Sequence, residues 1–439
     1  MKKLVIEKDK LRQNIRIIKG FSRSRIIAVL KGNGYGLGMI EFARNLQEEG
    51  IDYFAVSGLG DAIRLVKEGF TGKVFPGEIF PGEVFPGETC PGKAFPGNVL
   101  LLTPVCFEDE VMLLLKHGII PSIGSISSAR VLNEAALKLG RVVDFHLKID
   151  TGFGRFGFLP GEIPEACALV KGMQNIKLAG TYSHFSFSFS NKEKDVYSQY
   201  NKFITAVESM RRLGLNPGML HICNSSAFLK FPQMHLDAVR IGSAFLGRLP
   251  AGIPVEIPVE SAGVNQNSIQ GNPQNGIQNS NLQRKFQSNF QNDFQNDSPS
   301  SRQNVLQKVG CLKSRIIETK ELPENHNVGY ANTYKTRKVT RIGVVPVGYL
   351  DGFGVEKSRD TFRLIDILRY VYNDIKSFNR KIFVNISNEH GKHQARVLGR
   401  IGSHNIVVDL TGINANLGDE VILDINPMLV GNHVEREYI

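Results

Sequence analysis

Residues 25–50 read RIIAVLKGNGYGLGMIEFARNLQEEG and hold one complete strand, loop and helix pattern. The apolar run that ends at Leu30 is typical of a buried β-strand. Beyond the glycine-rich segment, apolar residues recur at the i, i+3, i+4 and i+7 spacing of one helix face: Met39, Phe42, Ala43 and Leu46. The stretch therefore predicts one β/α unit with Lys31 at the carboxyl end of its strand.

The same alternation continues as far as about residue 250. Eight apolar runs of strand length are separated by helix-like stretches, and they end at Leu30, Ser57, Val105, Ile123, Ile149, His184, Cys223 and Ile241. Eight strands that alternate with helices are typical of a (β/α)8 barrel. A doubly wound parallel sheet is the second interpretation, because its buried strands are equally apolar. We predict an α/β chain whose N-terminal (β/α)8 TIM-type barrel covers residues 1–250.

Two segments interrupt this pattern. Residues 74–98 repeat a five-residue unit of the form VFPGE, whose Pro-Gly pairs favour turns. Residues 257–304 are rich in Asn, Gln and Ser and lack the apolar content of a core, so we expect a disordered insertion. From residue 305 to 439, short runs with strand character alternate with little sign of helix, which predicts a mostly β C-terminal domain.

Reactive polar residues stand at or just beyond the predicted strand ends of the barrel. They are Lys31, Lys148, Asp150, Arg155, His184, Asn224, Ser225 and Arg240. Because the active sites of such barrels lie at the carboxyl ends of the strands, we expect these side chains to converge on one site. Strand ends are often polar for reasons of solvation alone, so the clustering is a hypothesis for the structure to test.

The glycine-rich loop after Lys31 does not match a nucleotide-binding motif. Its glycines alternate strictly from Gly32 to Gly38, whereas a dinucleotide fingerprint needs G-x-G-x-x-G. A phosphate-binding Walker loop places its lysine after the glycines, and Lys31 precedes them. A lysine that projects into a barrel can instead form a Schiff base with an aldehyde cofactor, and the glycines would let the backbone pass close beneath a planar ring.

Composition excludes several classes of protein. The 439 residues carry a net charge of +11, but the basic residues are spread along the chain, which favours general surface charge over a nucleic-acid interface. No apolar run is long enough to span a membrane. The N-terminus lacks the apolar core of a signal peptide, so a cytoplasmic location is expected. The five cysteines form no CxxC pair, and we predict neither a disulfide framework nor a metal site.

Seven motifs resemble, in order, those of the alanine racemase family. They are AVLKGNGYGLG (28–38), KIDTGFGRFGF (148–158), SHF (183–185), HICNSSA (221–227), VRIGSAFLG (239–247), VGYANTY (328–334) and PVGYLDG (346–352). The resemblance implies a pyridoxal 5'-phosphate enzyme with a barrel and a β-domain. It also implies a homodimer in which each active site borrows residues from the neighbouring subunit.

The resemblance also assigns roles to individual residues. Lys31 would hold the cofactor as a Schiff base and act as one catalytic base, and Tyr330 of a second subunit would be the other. Arg240 would contact the pyridine nitrogen, with His184 beside the ring and His221 supporting the arginine. The remaining cofactor contacts would come from Tyr35, Asn224, Ser225, Gly242 and Ser243. Substrate contacts would come from Arg155, Ser403 and Tyr349, with Lys148 positioning Arg155.

The implied reaction is the two-base interconversion of L- and D-alanine, which supplies D-alanine for peptidoglycan synthesis. Two bases are expected because one rigid group cannot easily reach both faces of the α-carbon. The substrate would be a small amino acid, with no nucleic-acid or membrane partner. Ser403 and His404 replace the usual Met-Asp pair, so a serine or broad-specificity racemase remains the alternative; a decarboxylase and a non-enzymatic binding protein are less favoured.

Overall fold

The computed structural model describes residues 2–71, 95–96, 98–190, 193–249, 305–356 and 359–439. The repeat at 74–98 lies outside these residues except for 95, 96 and 98, and the insertion expected at 257–304 lies wholly outside them.

The described strands and helices follow one another with short connections in the barrel. The strands are β1 (Lys3–Ile6), β2 (Arg25–Val29), β3 (Tyr53–Val56), β4 (Phe70–Thr71), β5 (Phe95–Pro96), β6 (Asn98–Leu101), β7 (Ser122–Ile123), β8 (Val143–Lys148), β9 (Ile176–Tyr182), β10 (Met219–His221), β11 (Ala238–Ile241), β12 (Cys311–Arg315), β13 (Glu318–Leu322), β14 (Asn327–Val328), β15 (Tyr334–Lys335), β16 (Thr340–Val345), β17 (Phe383–Asn388), β18 (Gly391–Leu398), β19 (Ile406–Asp409), β20 (Glu420–Leu423) and β21 (Glu435–Tyr438). The helices are α1 (Lys8–Phe21), the single turn α2 (Lys31–Tyr35), α3 (Met39–Glu48), α4 (Leu59–Lys67), α5 (Glu108–Lys116), α6 (Ile126–Lys138), α7 (Ile163–Lys171), α8 (Glu193–Arg212), α9 (Ser225–Lys230) and α10 (Leu364–Lys376).

Eight parallel strands form the barrel, in the order β6-β3-β2-β11-β10-β9-β8-β7. Their apolar side chains are buried on both sides of the sheet, as continuous apolar runs require. A parallel bridge joins Leu100 of β6 to Ile120, which stands two residues before β7, so the two ends of this order lie side by side. The predicted (β/α)8 barrel is confirmed, with each of the eight apolar runs forming one strand.

The second sheet has nine strands, in the order β13-β16-β19-β18-β17-β20-β12-β1-β21, and is mostly antiparallel. The predicted mostly β C-terminal domain is confirmed. Its β1 strand comes from the extreme N-terminus and pairs with β12 and β21. One contiguous apolar core runs from the barrel into this sheet. The Tyr438 hydroxyl also donates to the Leu37 carbonyl at 3.0 Å, which ties the sheet to the loop after Lys31.

The turn α2 is left-handed, and this explains part of its glycine content. Residues 32–35 have φ values of 61°, 53°, 65° and 54°. That conformation is costly for most L-residues, and glycine adopts it freely. A Cβ atom on Gly36 would lie 1.8 Å from the Pro427 carbonyl oxygen, so that glycine permits close packing of the C-terminal domain. The glycines therefore allow a left-handed turn and a close domain contact, in addition to the clearance for a planar ring that the sequence led us to expect.

Candidate active site

A cavity of about 450 Å³ opens at the carboxyl ends of the barrel strands. Ten of the predicted residues line it: Lys31, Tyr35, Lys148, Arg155, His184, Asn224, Ser225, Arg240, Gly242 and Ser243. A larger depression of about 560 Å³ lies on the outside of α8, where its only charged lining groups are Lys194 and Lys202. We place the site in the barrel because many reactive groups converge there.

Among the residues that the structure describes, four strongly basic side chains and no carboxylate line the barrel cavity. The four are Lys31, Lys148, Arg155 and Arg240. Burial and the nearby Arg155 charge lower the pKa of Lys31. Burial, with Arg240 and Arg155 nearby, lowers the pKa of Lys148 to about 8. The positive charges make the cavity favourable for anionic ligands. Because the protonated form of both amines is destabilised, a fraction of each lysine is unprotonated.

The loop that carries Arg155 is organised by a carboxylate. Asp150 accepts backbone hydrogen bonds from the amides of residues 152, 153, 154 and 155 at 2.8 to 3.1 Å. Burial alone would raise the Asp150 pKa, but these four bonds outweigh it and the pKa is lowered. The Arg155 guanidinium lies 4.4 Å from the centre of the Phe153 ring. The charge of Asp150 therefore serves the loop backbone, and the Arg155 side chain is held beside aromatic faces.

Arg240 is almost fully buried at the bottom of the cavity, and its two terminal nitrogens are saturated. One donates to Nδ1 and to the carbonyl oxygen of His221 at 2.6 and 3.1 Å. The other donates to the Ser183 and Ile222 carbonyls and to His184 Nδ1 at 2.6 to 3.2 Å. Burial lowers its pKa to about 10. Among the described residues, no carboxylate pairs with it and none accepts from its Nε, so Nε–H is the donor left for a ligand.

The hydrogen bonds below Arg240 form a chain with only one direction. Arginine can only donate, so His221 Nδ1 must be an acceptor and the proton of that ring sits on Nε2. His221 Nε2 then donates to His146 Nδ1 at 2.8 Å, and His146 Nε2 donates to the Tyr53 hydroxyl oxygen at 3.0 Å. Burial, together with the Arg240 charge, lowers the pKa of His146 to about 3 and that of His221 well below its usual value. Both rings are neutral and hold one defined tautomer.

At the opposite end of the cavity, hydroxyl groups and backbone amides meet. A Cβ atom on Gly242 would lie 2.3 Å from the Tyr35 hydroxyl, so only glycine allows this approach. Ser225 Oγ accepts from the Gly242 amide at 3.0 Å and from the Ala244 amide at 3.3 Å. Burial raises the pKa of Tyr35 to about 12, which keeps its phenol protonated as a donor. The hydroxyl groups of Tyr35 and Ser225 can donate to a phosphate here, and phosphate sites are common after the last two strands of these barrels.

Three predicted residues lie away from this cavity lining. Tyr330, Tyr349 and Ser403 all belong to the C-terminal domain and cluster around Gly402. A Cβ atom on Gly402 would be 3.6 Å from the Tyr330 ring, and the Tyr349 amide donates to the Gly402 carbonyl at 3.0 Å. The Tyr330 side chain is 70% exposed. We call Tyr330, Tyr349 and Ser403 the second half-site.

Sequence reasoning missed several residues of this region, and three of them show why. Met428 of the C-terminal domain lines the cavity, and nothing in its local pattern signals this. His146 could have been found, because it stands two residues before Lys148 on the same face of β8. Tyr53 is its partner on β3, and it has no distinguishing local signal. His221 lies beneath the cavity lining and accepts a hydrogen bond from Arg240 through Nδ1.

Comparison with known proteins agrees with this geometry. Residues 6–250 match the family described as alanine racemase, N-terminal domain, and residues 309–430 match alanine racemase, C-terminal domain. The chain belongs to the alanine racemase family. This membership confirms the resemblance carried by the seven motifs.

Curated relatives in the family are distant but cover nearly the whole chain. The alanine racemase of Clostridium perfringens strain SM101 is 26% identical over 427 residues, which are 95% of this chain and 84% of that protein. That of Clostridium novyi strain NT is 28% identical over 426 residues, again 95% of this chain and 84% of that protein.

Solved structures share the fold. An alanine racemase of Clostridium difficile 630 superposes with a TM-score of 0.71 at 23% identity, covering 100% of this chain and 95% of that one.

In the ranges that the structure describes, no helix has the length and apolar character needed to cross a membrane. No cluster of three His, Cys, Asp or Glu side chains that could hold a metal occurs in those ranges.

Proposed function

We propose that this chain interconverts L- and D-alanine with pyridoxal 5'-phosphate, as a homodimer whose active sites are shared between subunits. The observation that carries the proposal is the barrel cavity, whose described lining has four basic groups, no carboxylate, and a lysine at the end of the first barrel strand. We also propose the division into a barrel (1–250), an insertion (257–304) and a β-domain (305–439).

The residues of the cavity fit this cofactor. Its phosphate is a dianion and would meet Tyr35, Ser225 and the backbone at Gly242 and Ser243; the absence of a Cβ atom at Gly242 is what lets the Tyr35 hydroxyl approach this point. Its ring nitrogen is an acceptor and would meet Arg240, whose Nε–H is the remaining donor. Asn224 and His184 would border the ring. When bound, the cofactor supplies an aldehyde that condenses with amines and a conjugated ring that draws electrons from the α-carbon of an amino acid.

Lys31 is proposed to act on one face of the α-carbon. Its pKa is lowered by burial and by Arg155, so more of the amine is unprotonated near neutral pH than for a free lysine. Arg155 would hold the substrate carboxylate, and Lys148 would position Arg155 from the same side of the cavity. The Lys148 amine lies 5.1 Å from the Phe156 ring centre, and the Arg155 guanidinium lies 5.4 Å from the same point.

Tyr330 is proposed to act on the opposite face, from a second subunit. It lies outside the lining of the barrel cavity, is 70% exposed, and clusters with Tyr349 and Ser403. In a two-fold dimer, one surface of each subunit meets the complementary surface of the other twice. The second half-site of each subunit would therefore complete the barrel cavity of its partner. Ser403 would present its backbone amide to the substrate carboxylate.

Alanine is the proposed substrate because the curated relatives described above are named alanine racemases. A serine or broad-specificity racemase is not favoured by the relatives. A panel of L-amino acids, followed by chiral chromatography, measures this choice directly. The proposal expects alanine to give the highest kcat/KM, and a higher value for serine would contradict it.

The decisive variants are Lys31→Ala and Tyr330→Phe. Lys31→Ala should lose both exchange and the visible absorption of protein-linked cofactor, because the amine that binds it is gone. Tyr330→Phe should keep that absorption and lose exchange, because only the proton-transferring hydroxyl is removed. Lys116→Ala, at an exposed position, and Tyr197→Phe, which removes a hydroxyl whose partner is the exposed Gln233, are the matched controls. A Tyr330→Phe enzyme with wild-type exchange would refute the assigned role.

Mixing the two inactive proteins tests the shared site. A mixed dimer has one cavity with intact Lys31, and this cavity receives intact Tyr330 from the other subunit. With random exchange of subunits, about a quarter of wild-type activity should return, because half of the dimers are mixed and each holds one working site. If Tyr330 served its own chain, no mixed dimer would be active, and the absence of recovery after verified subunit exchange would refute sharing.

A further inference from the structure

Gln199 is a buried polar side chain to which the proposed function gives no role. It stands on α8, one of the helices around the barrel, and is 8% exposed. Its Nε2 donates to the Gly152 carbonyl at 3.2 Å and to Ser186 Oγ at 2.8 Å, and its Oε1 accepts from the Ser186 amide at 3.1 Å. The reverse orientation of the side-chain amide would bring two donors together at Ser186, so the orientation is fixed. A single side chain therefore joins two separate loops.

Both of the joined loops carry residues of the barrel cavity. Gly152 lies in the loop after β8, three residues before Arg155. Ser186 lies in the loop after β9, two residues after His184. The side chains of Arg155 and His184 line the cavity. Gln199 is thus bonded to each loop within three residues of a cavity side chain.

Aromatic contacts join the same two loops on the side of the cavity. The centres of the Phe153 and His184 rings lie 5.5 Å apart. The Arg155 guanidinium lies 4.4 Å from the centre of the Phe153 ring. The carbonyl that accepts from Gln199 belongs to Gly152, directly before Phe153. A shift of this carbonyl therefore moves the ring that supports Arg155.

Packing gives the loop after β8 little support. Residues 152–156 are exposed, and a depression of about 390 Å³ opens beside the loop. Asp150 fixes the shape of the loop through four backbone hydrogen bonds, but these bonds lie within the loop and do not fix its position. Beyond the pairing of the strands, its position against the loop after β9 depends on Gln199 and on Thr151 Oγ1, which lies 2.8 Å from Ser183 Oγ.

We propose that Gln199 is a positioning residue that holds Arg155 where it binds the substrate carboxylate. Gln199 joins the two loops from behind, and the loop after β8 then presents the guanidinium to the cavity. Without this joint the loop can move toward the neighbouring depression, and a misplacement of about 1 Å is enough to weaken a positioned contact strongly. The inference rests on the role that the proposed function gives to Arg155.

The affinity for propionate tests the inference without any need for racemisation. Propionate has the carboxylate and carbon skeleton of alanine without the amino group, and ethylamine has the amine without the carboxylate. In the cofactor-loaded protein, Gln199→Met should raise the dissociation constant of propionate on the order of tenfold and change that of ethylamine by less than about twofold, both by calorimetry. Gln199→Glu keeps the acceptor for the Ser186 amide but, as a carboxylate, loses both donated bonds, so it should weaken propionate binding too.

A double-mutant cycle tests whether Gln199 acts through Arg155. Arg155→Met alone should weaken propionate binding more than Gln199→Met does. In the Arg155→Met protein, Gln199→Met should have no further effect, because the group that it positions is absent. A general structural role would instead give the same loss in both proteins. Gln233→Met, at an exposed position whose partner is the Tyr197 hydroxyl on α8, is the matched control and should leave binding unchanged.

Ser186→Ala keeps the test decisive even if Gln199→Met does not fold. It removes one of the three hydrogen bonds at an exposed position and should raise the dissociation constant of propionate about threefold. Unchanged propionate affinity in both Gln199→Glu and Ser186→Ala overturns the inference. So does an equal loss of ethylamine affinity, or an undiminished effect of Gln199→Met in the Arg155→Met protein.

Racemisation measured on the same samples separates this inference from the proposed function. A protein that shows the expected losses of propionate affinity but whose wild type never exchanges alanine would refute the racemase and leave the positioning of Arg155 intact. A wild type that racemises alanine, with propionate affinity unchanged in the Gln199 variants, would refute the positioning and leave the racemase intact.

Discussion

The buried chain from Arg240 through His221 and His146 to Tyr53 makes a sharp prediction for Tyr53→Phe. The substitution keeps the ring, over which the Arg25 guanidinium lies at 4.9 Å, and removes only the hydroxyl that accepts from His146 Nε2–H. Tyr53 and His146 are each 2% exposed, so water cannot easily replace the lost acceptor. Leaving one buried donor without a partner costs about 1 to 3 kcal/mol.

A change of tautomer cannot relieve this cost. If His146 moved its proton to Nδ1, it would face the Nε2–H of His221, 2.8 Å away. His221 would then have to move its own proton to Nδ1, where the Arg240 N–H already points at 2.6 Å. Since arginine has no acceptor to offer, two donors would meet there. The unsatisfied donor therefore stays within the chain wherever the protons move.

Urea unfolding of the cofactor-free protein measures the effect. Tyr53→Phe should lower the free energy of unfolding by about 1 to 3 kcal/mol without a change in the slope against denaturant. Tyr197→Phe removes a hydroxyl whose partner is the exposed Gln233 and should shift stability by less than about 0.5 kcal/mol. Nitrogen-15 spectra of labelled histidine should show His221 and His146 protonated on Nε2. A His221 ring protonated on Nδ1, or an unchanged unfolding midpoint in Tyr53→Phe, would refute the directional chain.

Three other changes test the surrounding structure. Asp150→Asn makes at least one of the four backbone amides face an NH2 group in place of an acceptor. We therefore expect the free energy of unfolding in urea to fall by about 1.5 to 3 kcal/mol. The KM for alanine should rise, because the loop that carries Arg155 is displaced. The folded chain lowers the histidine pKa values, so below about pH 6.5 the unfolded chain binds more protons than the folded one. The free energy of unfolding should therefore fall as the pH drops from about 6.5 toward the His146 pKa of about 3. A free energy of unfolding that stays constant across this pH range would contradict the effect of burial. Gly36→Ala should destabilise the protein and loosen the domain contact, since its Cβ atom would strike the Pro427 carbonyl at a φ of 85°; Gly60→Ala, with open space around its Cβ atom, is the control.

The barrel was predictable because each of its strands is buried by helices outside and side chains inside. Strands in that environment need apolar residues on both faces, so their sequences are continuous apolar runs, and each of the eight runs forms one strand. The strand-end rule then brought Lys31, Lys148 and Arg240 to one cavity, as observed. The two-residue period of a strand predicts that His146 and Lys148 lie on the same face of β8. The contact of His146 with Tyr53 depends on how β8 and β3 are placed in the barrel, which local sequence patterns do not show.

Long-range pairing and exposure were harder to predict. The pairing of β1 with β21 joins the two ends of the chain, and neither strand carries a local sign of its partner. Helix α10 was not predicted because the strand-like runs on either side of it favoured a β interpretation of the whole C-terminal region. Even a correct helix assignment would have predicted that Leu368 is buried, since an apolar stripe normally faces the core. Its exposure, at 57%, becomes visible only in three dimensions.

The buried arginine at the bottom of the cavity limits how strongly a bound cofactor ring could withdraw electrons. Arg240 keeps its proton because burial lowers its pKa only to about 10, and it has no carboxylate partner among the described residues. A ring nitrogen beside this group would accept a hydrogen bond and gain no proton from it, so electron withdrawal stays weaker than with an acidic partner. Weak withdrawal suits a reaction in which one base removes a proton and another promptly returns one. If Lys31 and Tyr330 act from different subunits, as proposed above, that pair of bases, and with it the reaction, depends on assembly of the dimer.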